Sequence, residues 1–290
     1  MEKLLISALL PDAMLSPLKG KFEFIKDDET VHETVEIALV TAMDDFSKAR
    51  LSQLPALRKI VSIGAGLNHI DLDYCRAKNI RVLNTPHTPA RATAELAIGL
   101  MISLMRSILQ GDQYVRNGKW IKNPSDISGT ELFEKTLGIL GMGNVGYEIA
   151  RRARAFDMHI LYHNRNPRQD VDDLATYRSF DELLTESDVL IVQLPYAKET
   201  HHIIDQTALR KMKPDAYLIN TGRGGLVDDE ALTAALREER IKGAALDVVE
   251  NEPNLFADLA TLPNVIITPH IGGATPGVRM AMVREALALL

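Results

Sequence analysis

Cysteine is almost missing from this 290-residue sequence, where Cys75 stands alone. That excludes a disulfide framework and a thiolate metal cluster, and it suits a reducing cytosol, so the expected compartment is cytoplasmic. On the apolar side of a predicted helix, Cys75 reads as core rather than as a nucleophile. Tryptophan is as scarce, with Trp120 the one example. No run approaches the ~20 apolar residues needed to cross a membrane, so no membrane is expected. The start, MEKLLISALLPDAM, shares a short apolar run with signal peptides but balances its lysine with a glutamate, and reads equally well as a first buried strand.

Other absences narrow the chemistry. Thirty-three basic against 39 acidic side chains give net −6 with no cationic stripe, so nucleic acid is not an expected partner. An anionic substrate would need a local cation. No GxSxG elbow supports a serine nucleophile. Metal catalysis finds little support: His159 and His163 are four apart but flank a predicted strand, and His201 and His202 adjoin, where ligands point apart. What remains is an ordinary mixture, 46% apolar and 25% charged, long enough for two domains with sizeable cores.

The central stretch is Thr136 to Arg165, TLGILGMGNVGYEIARRARAFDMHILYHNR. An apolar run, Leu137 to Leu140, leads into Gly141, Met142, Gly143, Asn144, Val145 and Gly146. An amphipathic segment follows with Val145, Ile149, Ala153 and Phe156 on one side, and a second apolar run, Met158 to Tyr162, comes next. Strand, glycine turn, helix and strand in this order bind a dinucleotide. The first glycine makes the tight turn, the second lets the backbone approach a pyrophosphate, and the third lets helix and strand pack closely. The helix N-terminus offers N–H groups and partial positive charge to the phosphates. A carboxylate about 20 residues on would hold a ribose 2′-hydroxyl. This chain instead has Asn164 and Arg165, with Arg168 close by and no opposing anion expected. Two guanidiniums suit a 2′-phosphate, which favours NADP(H), with NAD(H) as the alternative. The competing reading makes both arginines solvated loop charges.

Short apolar runs alternate with helical patterns throughout. In the first 90 residues they are Leu4 to Ser7, Phe22 to Ile25, Ile37 to Val40, Ile60 to Ile63 and Arg81 to Leu83. After the glycine turn they are Val189 to Gln193, Ala216 to Asn220, Ala244 to Val248 and Val265 to Thr268, with a helix over Asp229 to Glu239. Such alternation predicts βα units on parallel sheets, six strands completing the doubly wound one. The nucleotide domain spans Ala94 to Gly273, and residues 1–93 form a smaller domain. Thr93 to Leu109 is apolar almost all round, as in a helix buried on most sides. Gly111 to Lys135 is polar and irregular, an arm with Trp120 as an interface anchor. A second glycine turn, Gly64-Ala65-Gly66, has N–H groups suited to a carboxylate across the cleft.

Ligands of such sheets lie beyond the carboxyl ends of the strands. The candidates there are Arg223, between glycines, Asp247, Glu252 and His270, the last in a glycine-flanked loop. Together they suit ketone reduction. The arginine holds a carboxylate and polarises the carbonyl, the imidazolium gives the proton as hydride arrives, and the carboxylate keeps the imidazole oriented and charged. Alternatively, Arg223 and Glu252 simply pair and His270 is a satisfied loop residue.

GMGNVG, INTGRGGLVDDEAL, ALDVVENEP and TPHIGGAT, in this order, resemble the D-isomer-specific 2-hydroxyacid dehydrogenase family. LNTPHTPARATAELAIGLMISLMR resembles its inter-domain helix and GAGLNHID its substrate loop. The resemblance implies Arg223 as ligand of the substrate carboxylate and carbonyl, His270 as general acid/base and Glu252 as its partner. It also implies Asp247 at the nicotinamide end, Ala65 and Gly66 binding carboxylate through backbone amides, and a homodimer formed around Thr93 to Trp120. Leu194, Pro195, Thr200, Thr221 and Gly272 complete the candidate cofactor contacts. The expected architecture is α/β, a doubly wound parallel (Rossmann) nucleotide domain beside a smaller flavodoxin-like α/β substrate domain that also takes residues 274–290. Asn68-His69, His87, Ala90 and Arg91 depart from the family pattern, and this bears on substrate preference. Arg91 is either a second cation near the cleft or a solvent-facing side chain. The sequence stops at Leu290 within the helical pattern from Pro276, where relatives carry a further segment. The expected activity is reduction of a small 2-keto acid, such as glyoxylate or hydroxypyruvate, to the D-2-hydroxy acid. The alternatives are a 3-phosphoglycerate dehydrogenase-like enzyme and a non-catalytic nicotinamide-binding regulator.

Overall fold

The computed structural model describes residues 1–7, 10, 12–28, 30–120 and 127–290. Two compact units emerge, one of Met1–Ala90 with Gly273–Leu290 and one of Arg91–Gly272. The strands of the smaller unit are β1 (Glu2–Ile6), β2 (Phe22–Lys26), β3 (Ile37–Thr41), β4 (Lys59–Ile63) and β5 (Arg81–Asn84). They pair in parallel in the order β2-β1-β3-β4-β5, the flavodoxin-like arrangement. Side chains alternate across this sheet. Leu5, Ala38, Val40 and Ile60 join Phe46, Leu51 and Cys75 on one face. Leu4, Ile6, Ile37, Leu39 and Val61 join Ala286 of the terminal helix on the other. That helix, Pro276–Ala288, starts with Thr275 accepting a hydrogen bond from the Val278 N–H and with proline in its first turn, where a missing N–H costs nothing. Cys75 is 1% exposed in this core, and burial pushes its thiol pKa up, as suits an inert side chain.

The larger unit holds β6 (Thr136–Leu140), β7 (His159–His163), β8 (Thr176–Tyr177), β9 (Val189–Val192), β10 (Tyr217–Asn220), β11 (Gly243–Leu246) and β12 (Val265–Ile267). All pair in parallel in the order β12-β11-β10-β9-β6-β7-β8. This is the doubly wound dinucleotide order with an added edge strand. The sequence predicts six strands here and misses β8, whose two residues are too short to show a period. A parallel sheet must be covered on both faces. Ile139, Tyr162, Ile191 and Ile219 face Met101, Met105, Ile149 and Ala150. Leu140, Leu190, Leu218 and Leu246 face Leu183, Leu209, Leu232 and Leu236.

Two expectations along this unit change. The predicted helix Thr93 to Leu109 is two helices, Ala90–Met105 and Ile108–Arg116, bent by 60°. Ser107 between them takes a left-handed φ of 51° and ends the first run. The second helix occupies part of the segment read as an arm and buries none of its residues; positions 121–126 of that segment lie outside the described residues. Phe156, expected on the apolar side of the helix after the glycine turn, instead sits 38% exposed in the short turn Arg154–Phe156. Among the described residues, no single helix is long and apolar enough to cross a membrane.

Helix Asn144–Ala153 lies tight on β6 because residue 146 has no side chain. A Cβ on Gly146 would stand 2.4 Å from the Gly141 carbonyl oxygen and 3.1 Å from Ile139 Cγ2. Gly146→Ala is therefore expected to destabilise the protein by about 1–3 kcal/mol through overpacking, checked by urea denaturation.

Candidate active site

The glycine turn leaves β6 at the sheet's switch point, beside the end of β9. Gly141 has φ +109°, and a Cβ there would meet the Gln193 carbonyl oxygen at 2.6 Å, so both backbone freedom and close approach require glycine. Gly143 differs. Its φ is −90°, and a Cβ would find no atom within 4 Å. The fold leaves room there for something outside the chain. As N-cap of helix Asn144–Ala153, Gly143 provides no side-chain acceptor for the first-turn N–H groups, which suits a phosphate. Met142 is buried and its N–H donates to Asn164 Oδ1 at 2.7 Å, which pins the tip of β7 to the turn.

Arg165 and Arg168 part company at that tip. Arg165 is exposed and makes no hydrogen bond or ion pair among the described residues. Arg168 donates Nη1 to the Met142 carbonyl at 2.8 Å and is paired through Nε with Asp170 at 3.0 Å. The expectation that no anion stands near is thus corrected by Asp170, which already engages one of the two guanidiniums. Leu194 and Pro195 follow β9, and Thr200 Oγ1 donates to the Pro195 carbonyl at 3.0 Å, closing that loop. Thr221 is 5% exposed and accepts a hydrogen bond from Gln193.

Beyond β10 the chain turns through Thr221-Gly222-Arg223-Gly224. Asn220, fully buried, accepts from the Gly222 N–H at 3.0 Å and donates to the Arg223 carbonyl at 2.9 Å, fixing the backbone that carries the guanidinium. A Cβ on Gly224 would lie 1.8 Å from the Val249 carbonyl oxygen, so glycine lets this turn press against the segment leading to Glu252. Desolvation lowers the Arg223 pKa from its ordinary value, and the nearby Glu252 carboxylate opposes that shift. His270 Nδ1 lies 2.7 Å from Glu252 Oε2. Burial acts to raise the Glu252 pKa. The hydrogen bond and charge of His270, the Val249 N–H and the Arg223 charge outweigh it, and the pKa lies below the usual glutamate value. Arg223, Glu252 and His270 therefore form one electrostatic group.

Asp247 does more for the protein than the sequence suggests. It is 2% exposed, and its carboxylate accepts from Thr268 Oγ1 (2.6 Å), the Ile271 N–H (2.8 Å) and the Gly272 N–H (2.8 Å). Its carbonyl accepts from the His270 N–H at 2.8 Å, and His270 takes a left-handed φ of 53°. The residue expected at the nicotinamide end thus holds the His270 loop in shape. Asn220 and Thr268 escaped the sequence reading; the signal was a polar side chain ending an apolar strand, which must find internal partners.

A model of the "D-isomer specific 2-hydroxyacid dehydrogenase, NAD binding domain" matches residues 98–272. A Staphylococcus aureus protein named among the 2-hydroxyacid dehydrogenases is 39% identical over 290 residues, 95% of this chain and 91% of that one. The chain belongs to the D-isomer-specific 2-hydroxyacid dehydrogenases. Among solved structures, an NADPH-dependent glyoxylate/hydroxypyruvate reductase of Sinorhizobium meliloti, in complex with NADP and malonate, is 31% identical with TM-score 0.90, covering 99% of this chain and 91% of that one. A D-lactate dehydrogenase of Aquifex aeolicus, complexed with NAD and lactic acid, is 30% identical with TM-score 0.91, covering 99% and 94%. Members of this family are oxidoreductases of small 2-hydroxy and 2-keto acids with a nicotinamide cofactor, and the open space at Gly143 fits such a group.

Because the Glu252 pKa is depressed on folding, its carboxylate contributes stability above the unfolded glutamate value and loses it as pH falls through the lowered one. Its side chain is 36% exposed, so the contribution is screened. Glu252→Gln is expected to cost no more than about 1 kcal/mol at neutral pH, with the difference from wild type vanishing on acidification. Urea unfolding of both proteins across the acid range measures it.

Proposed function

We propose that this dehydrogenase reduces small 2-keto acids of the glyoxylate or hydroxypyruvate type to D-2-hydroxy acids, with NADPH as preferred donor. The observation that carries the reading is the 2.7 Å His270–Glu252 pair whose carboxylate also feels the Arg223 charge. When bound, the cofactor supplies the hydride. Arg223 binds the substrate carboxylate and polarises the adjacent carbonyl. Protonated His270 gives its proton to the carbonyl oxygen, a role worth roughly 10²- to 10⁴-fold in rate, and Glu252 holds the imidazole in orientation. Gly141, Met142, Gly143, Asn144, Val145 and Gly146 would hold the pyrophosphate, with Leu194, Pro195, Thr200, Thr221 and Gly272 around the rest of the cofactor and Asp247 shaping the loop at its nicotinamide end.

On the smaller unit, Gly64 has φ +122° and is held by Thr85, whose Oγ1 accepts from the Gly64 N–H at 2.8 Å. The following Ala65 and Gly66 N–H groups suit a substrate carboxylate. The NADPH preference rests on Asn164 and exposed Arg165 at the tip of β7 and on the NADP-bound relative; the NAD-bound relative is the counterweight. Arg91 is paired with Glu148 at 3.5 Å with its side chain 78% exposed, and it takes no part in this proposal. A homodimer through the helices Ala90–Met105 and Ile108–Arg116 accords with their exposed Ile108, Leu109 and Val115, and the compartment proposed is cytoplasmic.

Glyoxylate and hydroxypyruvate assayed with each reduced cofactor test the reading. Cofactor oxidation with a higher kcat/KM for NADPH is expected, and no turnover with any short keto acid rejects it. Arg165→Ser is expected to lower kcat/KM for NADPH about tenfold and leave NADH nearly unchanged, the size of a lost charge-assisted contact. Gly143→Ala separates ligand from fold. Stability should change by less than about 1 kcal/mol, because the φ is ordinary and no atom is near, while dissociation constants for both cofactors should rise, as read by fluorescence titration.

A further inference from the structure

A second constellation lies in the larger unit among Tyr196, His201, His202 and Glu250. Adjacent residues in an extended chain point to opposite sides, which speaks against His201-His202 as a pair of ligands. The structure corrects it. His202 takes a left-handed φ of 50°, a conformation in which histidine is enriched among residues with a side chain. This turns both rings to one side, stacked with centroids 3.8 Å apart and planes 26° from parallel. His202 Nε2 then lies 2.6 Å from Glu250 Oε1. One ligand atom from each of His201, His202 and Glu250 falls within 4.8 Å of the other two.

The surroundings hold this arrangement. The His202 N–H donates to the Gly225 carbonyl at 2.9 Å, and the Glu250 N–H donates to Asp229 Oδ2 at 3.1 Å, so both segments are anchored by backbone. Tyr196 OH lies 3.2 Å from His201 Nδ1, with the Tyr196 ring edge-on at 5.9 Å. Tyr196 is itself placed by Gly225, where a Cβ would strike its ring at 2.6 Å. A partner on one imidazole nitrogen is the usual device that fixes the ring and leaves the other nitrogen to a metal. Asp228 Oδ2, 3.8 Å from His202 Nδ1, adds a further carboxylate on the same imidazole.

We propose that His201, His202 and Glu250 bind a divalent d-block cation, with zinc the best match, and with Tyr196 and Asp228 orienting the two imidazoles. Two imidazoles and one carboxylate make the His₂Glu donor set of zinc sites that keep a position open to water or a further ligand. Nitrogen donors disfavour magnesium and calcium, which prefer oxygen. Three side chains already within a few ångströms need only small rotations to close on an ion. Occupancy would tie the segment after Lys198–Thr200 to Glu250, two residues before Glu252.

Equilibrium dialysis of untagged, chelator-treated protein against zinc chloride tests this site. Wild type is expected to bind one equivalent per chain, with Tm rising by about 5 °C at saturation. His201 is exposed, so His201→Ala should fold normally while its zinc dissociation constant rises by more than tenfold. Glu250→Gln should weaken binding likewise, and Tyr196→Phe should do so by about tenfold, the size expected for an orienting partner. Asp27, Asp28 and His32 form the other cluster of suitable side chains among the described residues, so His32→Ala should leave the equivalent in place. The proposal is overturned if wild type binds no stoichiometric zinc, if His201→Ala binds it as tightly as wild type, or if His32→Ala abolishes it.

Discussion

Backbone pressed on backbone at the carboxyl edge of the seven-stranded sheet is the constraint on which the rest of the larger unit depends. Where β6 ends, Gly141 sits against Gln193 after β9; where β10 ends, Gly222 sits against the end of β9 and Gly224 against Val249 after β11. A side chain at Gly141 or Gly224 would collide with main-chain atoms, which cannot step aside as a flexible side chain can. The turns after these strands therefore crowd one rim, and what they carry is brought together whatever its own affinity. Arg223 lies close enough for its charge to be felt at Glu252, on the segment against which Gly224 is pressed.

Crowded turns expose N–H and C=O groups that no sheet ladder satisfies, and the chain meets that demand with buried polar side chains. Asn220 serves the turn of Arg223, and Asp247 serves the loop of His270. Hydrogen bonds to a charged group contribute about 1.5–3 kcal/mol each, and leaving such N–H groups buried without an acceptor costs a similar amount. Asp247 is thus a structural requirement of the loop in addition to any contact with a cofactor. The left-handed backbone at His270 is held by this set, since its N–H points to the Asp247 carbonyl.

The doubly wound sheet was legible in the sequence because each inner strand is covered on both faces and reads as an unbroken apolar run, with glycine turns at the right ends. That Arg223, Glu252 and His270 come together was legible for a related reason: each lies in a turn beyond the carboxyl end of a strand, so topology fixes its side of the sheet. Contacts that depend on local backbone sign were not legible. The two-residue strand β8 has no period, Ser107 gives no warning of a left-handed turn, and the stacking of His201 on His202 follows from one φ angle. Nor was the Arg168–Asp170 pair legible, since an ion pair two residues apart in a loop has no spacing rule.

The electrostatics of the rim follow from the same geometry. The chain carries net −6, so its surface as a whole repels a keto acid, and attraction must come from a cation that the solvent does not screen. In the proposed reaction that cation is Arg223, whose desolvation makes its charge felt strongly at short range. Glu252, anionic and partly exposed, offsets only part of that charge while holding the imidazole through Nδ1. The carboxylate cannot migrate to the guanidinium without giving up His270 and the Val249 N–H. In the proposed reaction, the guanidinium, which also donates to the Gly222 carbonyl at 2.6 Å, binds the substrate while the imidazole handles the proton.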